Sequence, residues 1–186
     1  MDTTTTYVII ALAVAAMVIV ALVVMQRRKT TKLKAHFGTE YDRAVVDSGG
    51  RGKAEAGLVA AQKHVQKLSI RELEPSEREF FRTSWDKIQG KFVDDPALSV
   101  TEADQLVGVV MSACGYAVTD FEQRAADISV DHPEIVQHYR AGHAIALQQE
   151  RGEATTEDLR TAMISYRTLF EDLVGEPEPA PVKLAS

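Results

Sequence analysis

The feature that most constrains this chain is an apolar run near its N-terminus, Tyr7 to Met25. Its nineteen residues, YVIIALAVAAMVIVALVVM, include no charge, amide, Gly or Pro. At about 1.5 Å per residue a helix of this run is roughly 28 Å long, close to the ~30 Å hydrocarbon core of a bilayer. The run therefore predicts a transmembrane helix over residues 7–25.

The charges on the two sides of this run distinguish an anchor from a signal peptide. Residues 1–6 contain one acid and no base. Five bases follow the run closely: Arg27, Arg28, Lys29, Lys32 and Lys34. A signal peptide instead carries its bases before the apolar segment and a small-residue cleavage site after it. We predict an uncleaved single-pass anchor in the cell membrane, with a short extracytoplasmic N-terminus over residues 1–6 and a cytoplasmic body.

The same five bases form a juxtamembrane collar over residues 26–34, which predicts contact with anionic lipid headgroups at about 1 kcal/mol per base. A role in topology alone remains an alternative. The chain after residue 34 holds 16 bases and 26 acids, a net charge of −10. Phosphate binding needs clustered Lys and Arg, so the acidic body argues against nucleic acid as a partner.

The body reads as all-α, because apolar residues recur at helical spacing and no segment shows strand alternation. We predict a cytoplasmic bundle of about six helices over residues 35–174, followed by a Pro-rich flexible tail over residues 175–186. The first helical pattern after the collar is an apolar stripe with a spacing of four residues. It consists of Leu33, Phe37, Tyr41 and Val45.

Four helix starts are predicted from side chains that accept backbone hydrogen bonds. They are Ser76 with Glu79, Asp95 before Pro96, Asp131 before Pro133, and Thr155 with Asp158. A helix is expected to end at Gly115, because a Gly can take the left-handed conformation that helix ends require.

Two groups of residues are predicted to pack in the core rather than to carry chemistry. The first is an aromatic-rich helix with Phe80, Phe81, Trp85, Ile88 and Phe92. The second is Cys114, the single cysteine, which excludes an internal disulfide and sits where a helix dipole disfavours a thiolate. No catalytic pattern and no cofactor are predicted.

Five titratable residues lie close together in the sequence and could form a metal or ligand site. They are Asp131, His132, Glu134, His138 and His143. Metal ligands on one helix favour spacings of three or four, whereas the three histidines are six and five residues apart. A helical surface pair explains Glu134 and His138 equally well, and His143 falls on an apolar stripe. His64 is predicted to lie on a solvent-exposed helix face.

Two stretches resemble a family of bacterial proteins. They are FEQRAADISVDHPEIVQHYRAGHAIAL, from Phe121 to Leu147, and TTEDLRTAMISYRTLFEDL, from Thr155 to Leu173. The short motif FVDDP, from Phe92 to Pro96, also recurs in that family. The resemblance implies one membrane helix joined to a helical body, and it implies no activity.

The preferred functional hypothesis is a non-enzymatic, membrane-tethered interaction or scaffold module on the cytoplasmic face. The anchor, the acidic helical body and the lack of a catalytic pattern lead to it. Its partner would be another protein or a second copy of the chain. The alternative is a metal- or small-ligand-binding enzyme that uses the His132–His143 segment.

Overall fold

The protein is described by a computed structural model that covers residues 3–117 and 120–175, without the side chains of residues 3–6 and 8–11. The predicted tail beyond Gly175 lies outside the described residues. All regular elements of the described ranges are helices, so the predicted all-α fold class is confirmed. The helices are α1 (Thr3–Phe37), α2 (Thr39–Asp47), α3 (Arg51–Val65), α4 (Pro75–Lys91), α5 (Pro96–Ala113), α6 (Phe121–Asp131), α7 (Val136–Glu150) and α8 (Thr156–Val174).

The chain divides into two compact units, Met1–Leu58 and Val59–Ser186. The boundary lies inside α3 and inside the range 35–174 that the sequence predicts as one helical domain. The first unit contains α1, α2 and the start of α3. The second contains the end of α3 and all of α4 to α8.

In the first unit, α1 continues without a break through the basic collar to Phe37. Gly38 then takes a positive φ of 51°, which separates α1 from α2. The predicted stripe is buried at Leu33, Phe37 and Tyr41. Because Gly38 divides the segment, the described chain has seven helices after α1 rather than about six.

A buried carboxylate links the three helices of the first unit. Glu55 of α3 is almost fully buried. Its Oε1 accepts a hydrogen bond from the Thr30 hydroxyl at 2.7 Å and another from the Tyr41 hydroxyl at 3.1 Å. A buried carboxylate needs such donors, so this contact fixes how α1, α2 and α3 meet.

In the second unit, one apolar core is formed by α4 to α8. Helix α8 packs against α4, α5 and α7, and the rings of Trp85 and Phe170 stack with centroids 4.8 Å apart. The predicted burial of Phe81, Trp85 and Ile88 is confirmed. The prediction is wrong for Phe80, whose side chain is 64% exposed, because neighbouring helical residues point about 100° apart.

Two of the predicted helix starts are confirmed. At α5, the Asp95 carboxylate accepts a hydrogen bond from the Leu98 N–H at 3.0 Å, and Pro96 is the first helical residue. At α8, the Thr155 hydroxyl accepts from the Asp158 N–H at 3.2 Å, and the Asp158 carboxylate accepts from the Thr155 N–H at 2.8 Å. Both starts are local devices that satisfy exposed amides.

The predicted capping box of Ser76 and Glu79 is wrong. Helix α4 already begins at Pro75, with Glu74 as its N-cap. The Glu77 carboxylate accepts a hydrogen bond from the Glu74 N–H at 2.9 Å. Proline needs no hydrogen bond from its nitrogen and has a helical φ, so it opens the helix before Ser76 can cap it.

The predicted cap at Asp131 is also wrong. Asp131 is the last residue of α6, and α7 begins only at Val136. The Asp131 carboxylate accepts a hydrogen bond from the hydroxyl of Tyr116 at 3.0 Å. Tyr116 is buried, so its hydroxyl needs an acceptor, and this tertiary contact replaces the local capping role.

The predicted helix end at Gly115 is confirmed, and a close backbone approach explains the glycine. Gly115 has a φ of 95°, and a Cβ there would lie 2.3 Å from the carbonyl oxygen of Ser69. The Cys114 carbonyl accepts a hydrogen bond from the Arg71 N–H at 2.9 Å. Cys114 is buried as predicted, and burial raises the pKa of its thiol.

The contact between Tyr116 and Asp131 yields a stability prediction. Asp131→Ala leaves a buried hydroxyl without an acceptor, so we expect a loss of about 1–3 kcal/mol in the free energy of unfolding. Chemical denaturation followed by circular dichroism measures it. In the Tyr116→Phe background the same substitution should cost much less. A full rescue by Asp131→Ser would instead favour the capping role.

Candidate functional site

The most exposed apolar surface of the protein lies on α1. From Leu12 to Met25 every side chain of this helix is exposed. Leu12 is 66% exposed, Met17 71% and Met25 67%. Because these positions point in all directions around the helix, α1 is apolar on every side over this stretch.

The five bases of the collar continue the same helix, and all of them are exposed. Lys34 pairs with Asp42 of α2 at 3.0 Å, and both side chains are more than half exposed. Arg27, Arg28, Lys29 and Lys32 make no ion pair with any residue in the described ranges. Four cations are therefore available to an external partner.

Among the described residues no helix is both long and apolar enough to cross a membrane. The predicted span over residues 7–25 includes residues 8–11, whose side chains lie outside the description. The transmembrane helix stays a prediction.

The five candidate metal ligands are not brought together. Glu134 and His138 are exposed, and Asp131 holds Tyr116. His132 pairs through Nδ1 with the carboxylate of Asp172 on α8. The described residues contain no group of three or more His, Cys, Asp or Glu side chains that could hold a metal ion.

The pair formed by His132 and Asp172 lines a pocket of about 460 Å³ at the C-terminal end of α8. Arg78 lies across this pocket, where its Nε donates to the Leu73 carbonyl at 2.9 Å. The neighbouring Arg82 donates to the Gly175 carbonyl at 2.7 Å. Arg82 thus stabilises the C-terminal end of α8, whereas Arg78 holds the segment before α4, and both roles are structural.

A buried carboxylate that the sequence analysis missed lies on α6. Asp127 is fully buried, and its Oδ1 lies 2.9 Å from Nδ1 of His64 and accepts a hydrogen bond from Gln123 at 2.8 Å. His64 was predicted on a wet face, and its side chain is 40% exposed. The pairing of His64 with Asp127 could not be predicted from local sequence spacing, because 63 residues separate the two partners.

A second polar group lies in the core between α5, α6, α7 and α8, and we call it the Tyr139 cluster. It consists of Asp104, Arg124, Tyr139, His143 and Tyr166. The Tyr166 hydroxyl donates a hydrogen bond to Oδ1 of Asp104 at 2.7 Å. Nδ1 of His143 lies 3.6 Å from the same oxygen, which is too far for a hydrogen bond. Of the predicted candidates, only His143 belongs to this cluster.

Small residues and aromatic rings hold the Tyr139 cluster in place. A Cβ at Gly142 would lie 3.0 Å from the ring of Tyr166, so α7 can approach α8 closely there. The ring of His143 stacks on Phe121 with centroids 3.7 Å apart. The Phe121 and Tyr139 rings are 4.8 Å apart. The cluster is thus fixed by packing from three helices.

Several buried polar atoms of the Tyr139 cluster have no hydrogen-bond partner in the described structure. Tyr139 is fully buried, and its hydroxyl makes no hydrogen bond in the described structure. The same holds for Nε of Arg124 and Nδ1 of His143. An unpaired buried donor costs about 1–3 kcal/mol, so this arrangement opposes stability.

The environment of Tyr139 favours its neutral form. The pKa of Tyr139 is raised to about 12, mainly by burial, while Arg124 lowers it, Asp104 raises it and Arg140 lowers it. Burial also raises the pKa of Tyr166, together with Asp104. Both phenols are therefore hydrogen-bond donors at neutral pH.

No protein-family model, curated protein or solved structure matches this chain. The resemblance to a bacterial membrane-anchored family stays a prediction.

The raised pKa of Tyr139 predicts an alkaline loss of stability. Because the folded pKa of Tyr139 is about 12 and the ordinary value is about 10, the phenol ionises first in the unfolded chain, so roughly 2–3 kcal/mol of stability is lost between pH 10 and pH 12. We expect Tyr139→Phe to make the decline in melting temperature between pH 10 and pH 12 shallower. Tyr7→Phe, which alters an exposed side chain, serves as the control. Equal declines in the parent and in Tyr139→Phe would contradict this prediction.

Proposed function

We propose that the protein is a membrane-tethered helical interaction module whose body lies on the cytoplasmic face. The observation that carries the proposal is the exposed apolar surface of α1 from Leu12 to Met25. In water an apolar helix surface of this extent is unfavourable, since it is removed from solvent neither by a core nor by a neighbouring helix. A bilayer provides the apolar surroundings that this surface needs.

The collar supports the proposed orientation. Lys and Arg are enriched on the cytoplasmic side of membrane helices. The first collar base, Arg27, follows Met25 by two residues on the same continuous helix, a rise of about 3 Å. The collar bases therefore reach headgroup depth when the apolar stretch lies in the bilayer, and they favour the cytoplasmic leaflet.

The interaction role rests on the surface of the second unit. A groove of about 700 Å³ runs between α4 and α8. Its lining combines apolar and charged side chains, among them Trp85, Asp86, Phe170 and Glu171. Grooves of this mixed chemistry suit a peptide or a helix of a partner. The net charge of −10 beyond the collar favours a partner with a basic surface.

The alternative, a metal- or small-ligand-binding enzyme on the His132–His143 segment, has less support. His132 faces Asp172, whereas His143 faces Asp104 on another helix. The histidines of this segment therefore lie in two separate polar groups, one with Asp172 and one with Asp104. Of these two places, only the Tyr139 cluster has unpaired donors that a ligand could use.

Membrane anchoring is tested by charge substitutions within α1. A charge near the middle of a membrane helix costs about 2.5–3.5 kcal/mol per residue. We therefore expect the parent chain to be found in the membrane fraction. The double variant Val18→Glu/Val20→Lys should lose its membrane association. Val93→Lys, at a position that is 87% exposed outside α1, is the control and should stay with the membrane. A parent chain in the soluble fraction would overturn the anchor.

Orientation is tested in the same cells with a membrane-impermeant thiol reagent. A cysteine introduced as Val93→Cys should react only after permeabilisation, because the body is proposed to be cytoplasmic. The parent chain is the blank, since its single Cys114 is buried. Labelling of Val93→Cys on intact cells would reverse the proposed orientation and leave the anchor intact.

Partner binding is tested by site-specific photo-crosslinking in native membranes. We expect a crosslinker in place of Asp86, which lines the groove, to capture a discrete product. A crosslinker in place of the adjacent Lys87, which is exposed and does not line the groove, is the control. A product of twice the chain mass identifies a second copy. Absence of a product, together with a monomer in detergent, would overturn the interaction role.

A further inference from the structure

Gly175, at the end of α8, is held by an arginine whose charge no described carboxylate balances. Nη2 of Arg82, on α4, donates a hydrogen bond to the Gly175 carbonyl at 2.7 Å. Arg82 makes no ion pair with any residue in the described ranges. A second guanidinium is close, because a Cβ at Gly175 would lie 3.1 Å from Nη1 of Arg78. Two cations therefore converge on the residue from which the tail begins.

The tail brings acids to this point directly in the sequence. Its first six residues, Glu-Pro-Glu-Pro-Ala-Pro, run from Glu176 to Pro181 and lie outside the described residues. Proline fixes φ and restricts the residue before it, so alternating prolines predict a polyproline II conformation. A segment of this kind loses little conformational entropy when it binds, and it carries its carboxylates at Glu176 and Glu178.

The groove between α4 and α8, of about 700 Å³, begins at the same point. Arg82 and Gly175 are joined at one end of it. From there the α4 wall continues to Gln89 and the α8 wall runs back to Arg167, about 10 Å and 12 Å along the helix axes. Polyproline II rises about 3.1 Å per residue, so four tail residues are long enough to follow the groove.

The middle of the groove offers apolar surface for prolines. Trp85, Phe170 and Ile135 line it, and the rings of Trp85 and Phe170 stack on each other. Both rings are largely buried, so a small part of each faces the groove, and the half-buried Ile135 adds to that surface. Grooves with aromatic walls are the surfaces that bind Pro-rich segments in the polyproline II conformation.

A second pocket opens beside the same end of α8, but its charges are already paired. This pocket of about 460 Å³ is lined by Arg71 and Arg78. Arg71 pairs with Glu77 at 2.7 Å, and Arg78 pairs with Glu72 at 3.1 Å. Arg82 lines the groove and not this pocket, and it has no such partner. The available positive charge therefore favours the groove.

We propose that residues 176–181 of the tail fold back along the groove between α4 and α8 and fill it. Glu176 pairs with Arg82, and the prolines cover Trp85 and Phe170. The groove is then occupied by its own chain, and an external partner has to displace the tail. This inference goes beyond the interaction role, because it concerns the chain alone and does not require a partner or a membrane anchor.

The charges of the two walls also favour one orientation of the second acid. The α4 wall carries the exposed Asp86, whereas the α8 wall carries Arg167. Arg167 pairs with Glu171 at 2.7 Å, and both side chains are more than half exposed, so this pair is exchanged at little cost. The third acid of the lining, Asp172, also borders the second pocket. Glu178 is therefore expected to turn towards Arg167 and away from Asp86.

The test is photo-crosslinking of the purified full-length chain in detergent at low concentration. A crosslinker in place of Asp86, in the groove, should react with residues 176–181 of the same chain, which mass spectrometry maps. Crosslinkers in place of Lys87, exposed outside the groove, and Ile70, in the second pocket, are the controls. We expect the tail product from the groove position to exceed that from each control by roughly fivefold or more, because docking raises the local concentration of the tail.

A charge reversal tests the proposed ion pair. Glu176→Lys places a cation beside Arg82 and Arg78, so the tail product from the groove position should fall by roughly threefold or more. Glu150→Lys makes the same reversal at an exposed position at the end of α7 and is the matched control, which should leave the yield unchanged. The melting temperature of each variant should equal that of the parent, because both positions lie outside the core.

Three outcomes would overturn the proposal. Equal tail yields at the three crosslinker positions, or a yield that Glu176→Lys leaves unchanged, would show that the tail is not docked in the groove. A larger tail yield at Ile70 than at Asp86 would place the tail in the second pocket instead. A tail product of twice the chain mass would show that the tail of a second copy fills the groove, and the contact within one chain would be wrong.

Discussion

The burial of α8 is the constraint on which the second unit depends. This helix carries the largest set of buried residues, and α4, α5 and α7 all pack against it. The stacked rings of Trp85 and Phe170 join it to α4. A fully buried side chain such as Phe or Leu contributes about 1.5–3 kcal/mol, so the buried face of α8 makes a large contribution to the stability of this unit.

The same helix carries polar groups into the core. Tyr166 places its hydroxyl against Asp104 of α5, and Asp172 holds His132 at the end of α6. A buried polar pair stabilises less than apolar packing of the same volume, but it admits fewer alternative arrangements. These contacts therefore fix the register of the helices, whereas the apolar residues supply most of the free energy. The unpaired buried polar atoms beside Tyr166 oppose stability.

The sequence predicted what depends on neighbouring residues. The caps at Asp95 and Thr155 and the helix end at Gly115 are local, and they were right. The predicted caps at Ser76 and Asp131 are wrong for two different reasons. Helix α4 begins one residue before Ser76, at Pro75. The carboxylate of Asp131 accepts a hydrogen bond from the hydroxyl of Tyr116 instead of from the start of α7. A local pattern proposes a partner for a side chain, but the fold decides which partner it takes.

The candidate site shows why spacing alone could not find it. Three histidines, His64, His132 and His143, each face an aspartate from a distant helix. The separations are 63, 40 and 39 residues, so the partners meet only after the helices have packed. Periodicity identifies the face on which a residue lies, but it cannot identify the residue that it meets across a helix interface.

The three pairs also differ in what their surroundings permit. Asp127 is fully buried, so its charge needs His64 and Gln123. In contrast, Asp104 reaches solvent and leaves His143 at 3.6 Å. The first pair is closed at Oδ1 of Asp127 but leaves its buried Oδ2 without a hydrogen bond, and the second lies beside the unpaired hydroxyl of Tyr139. Both places therefore contain a buried polar atom without a partner, and the exposure of the carboxylate, 0% for Asp127 and 26% for Asp104, is what distinguishes them.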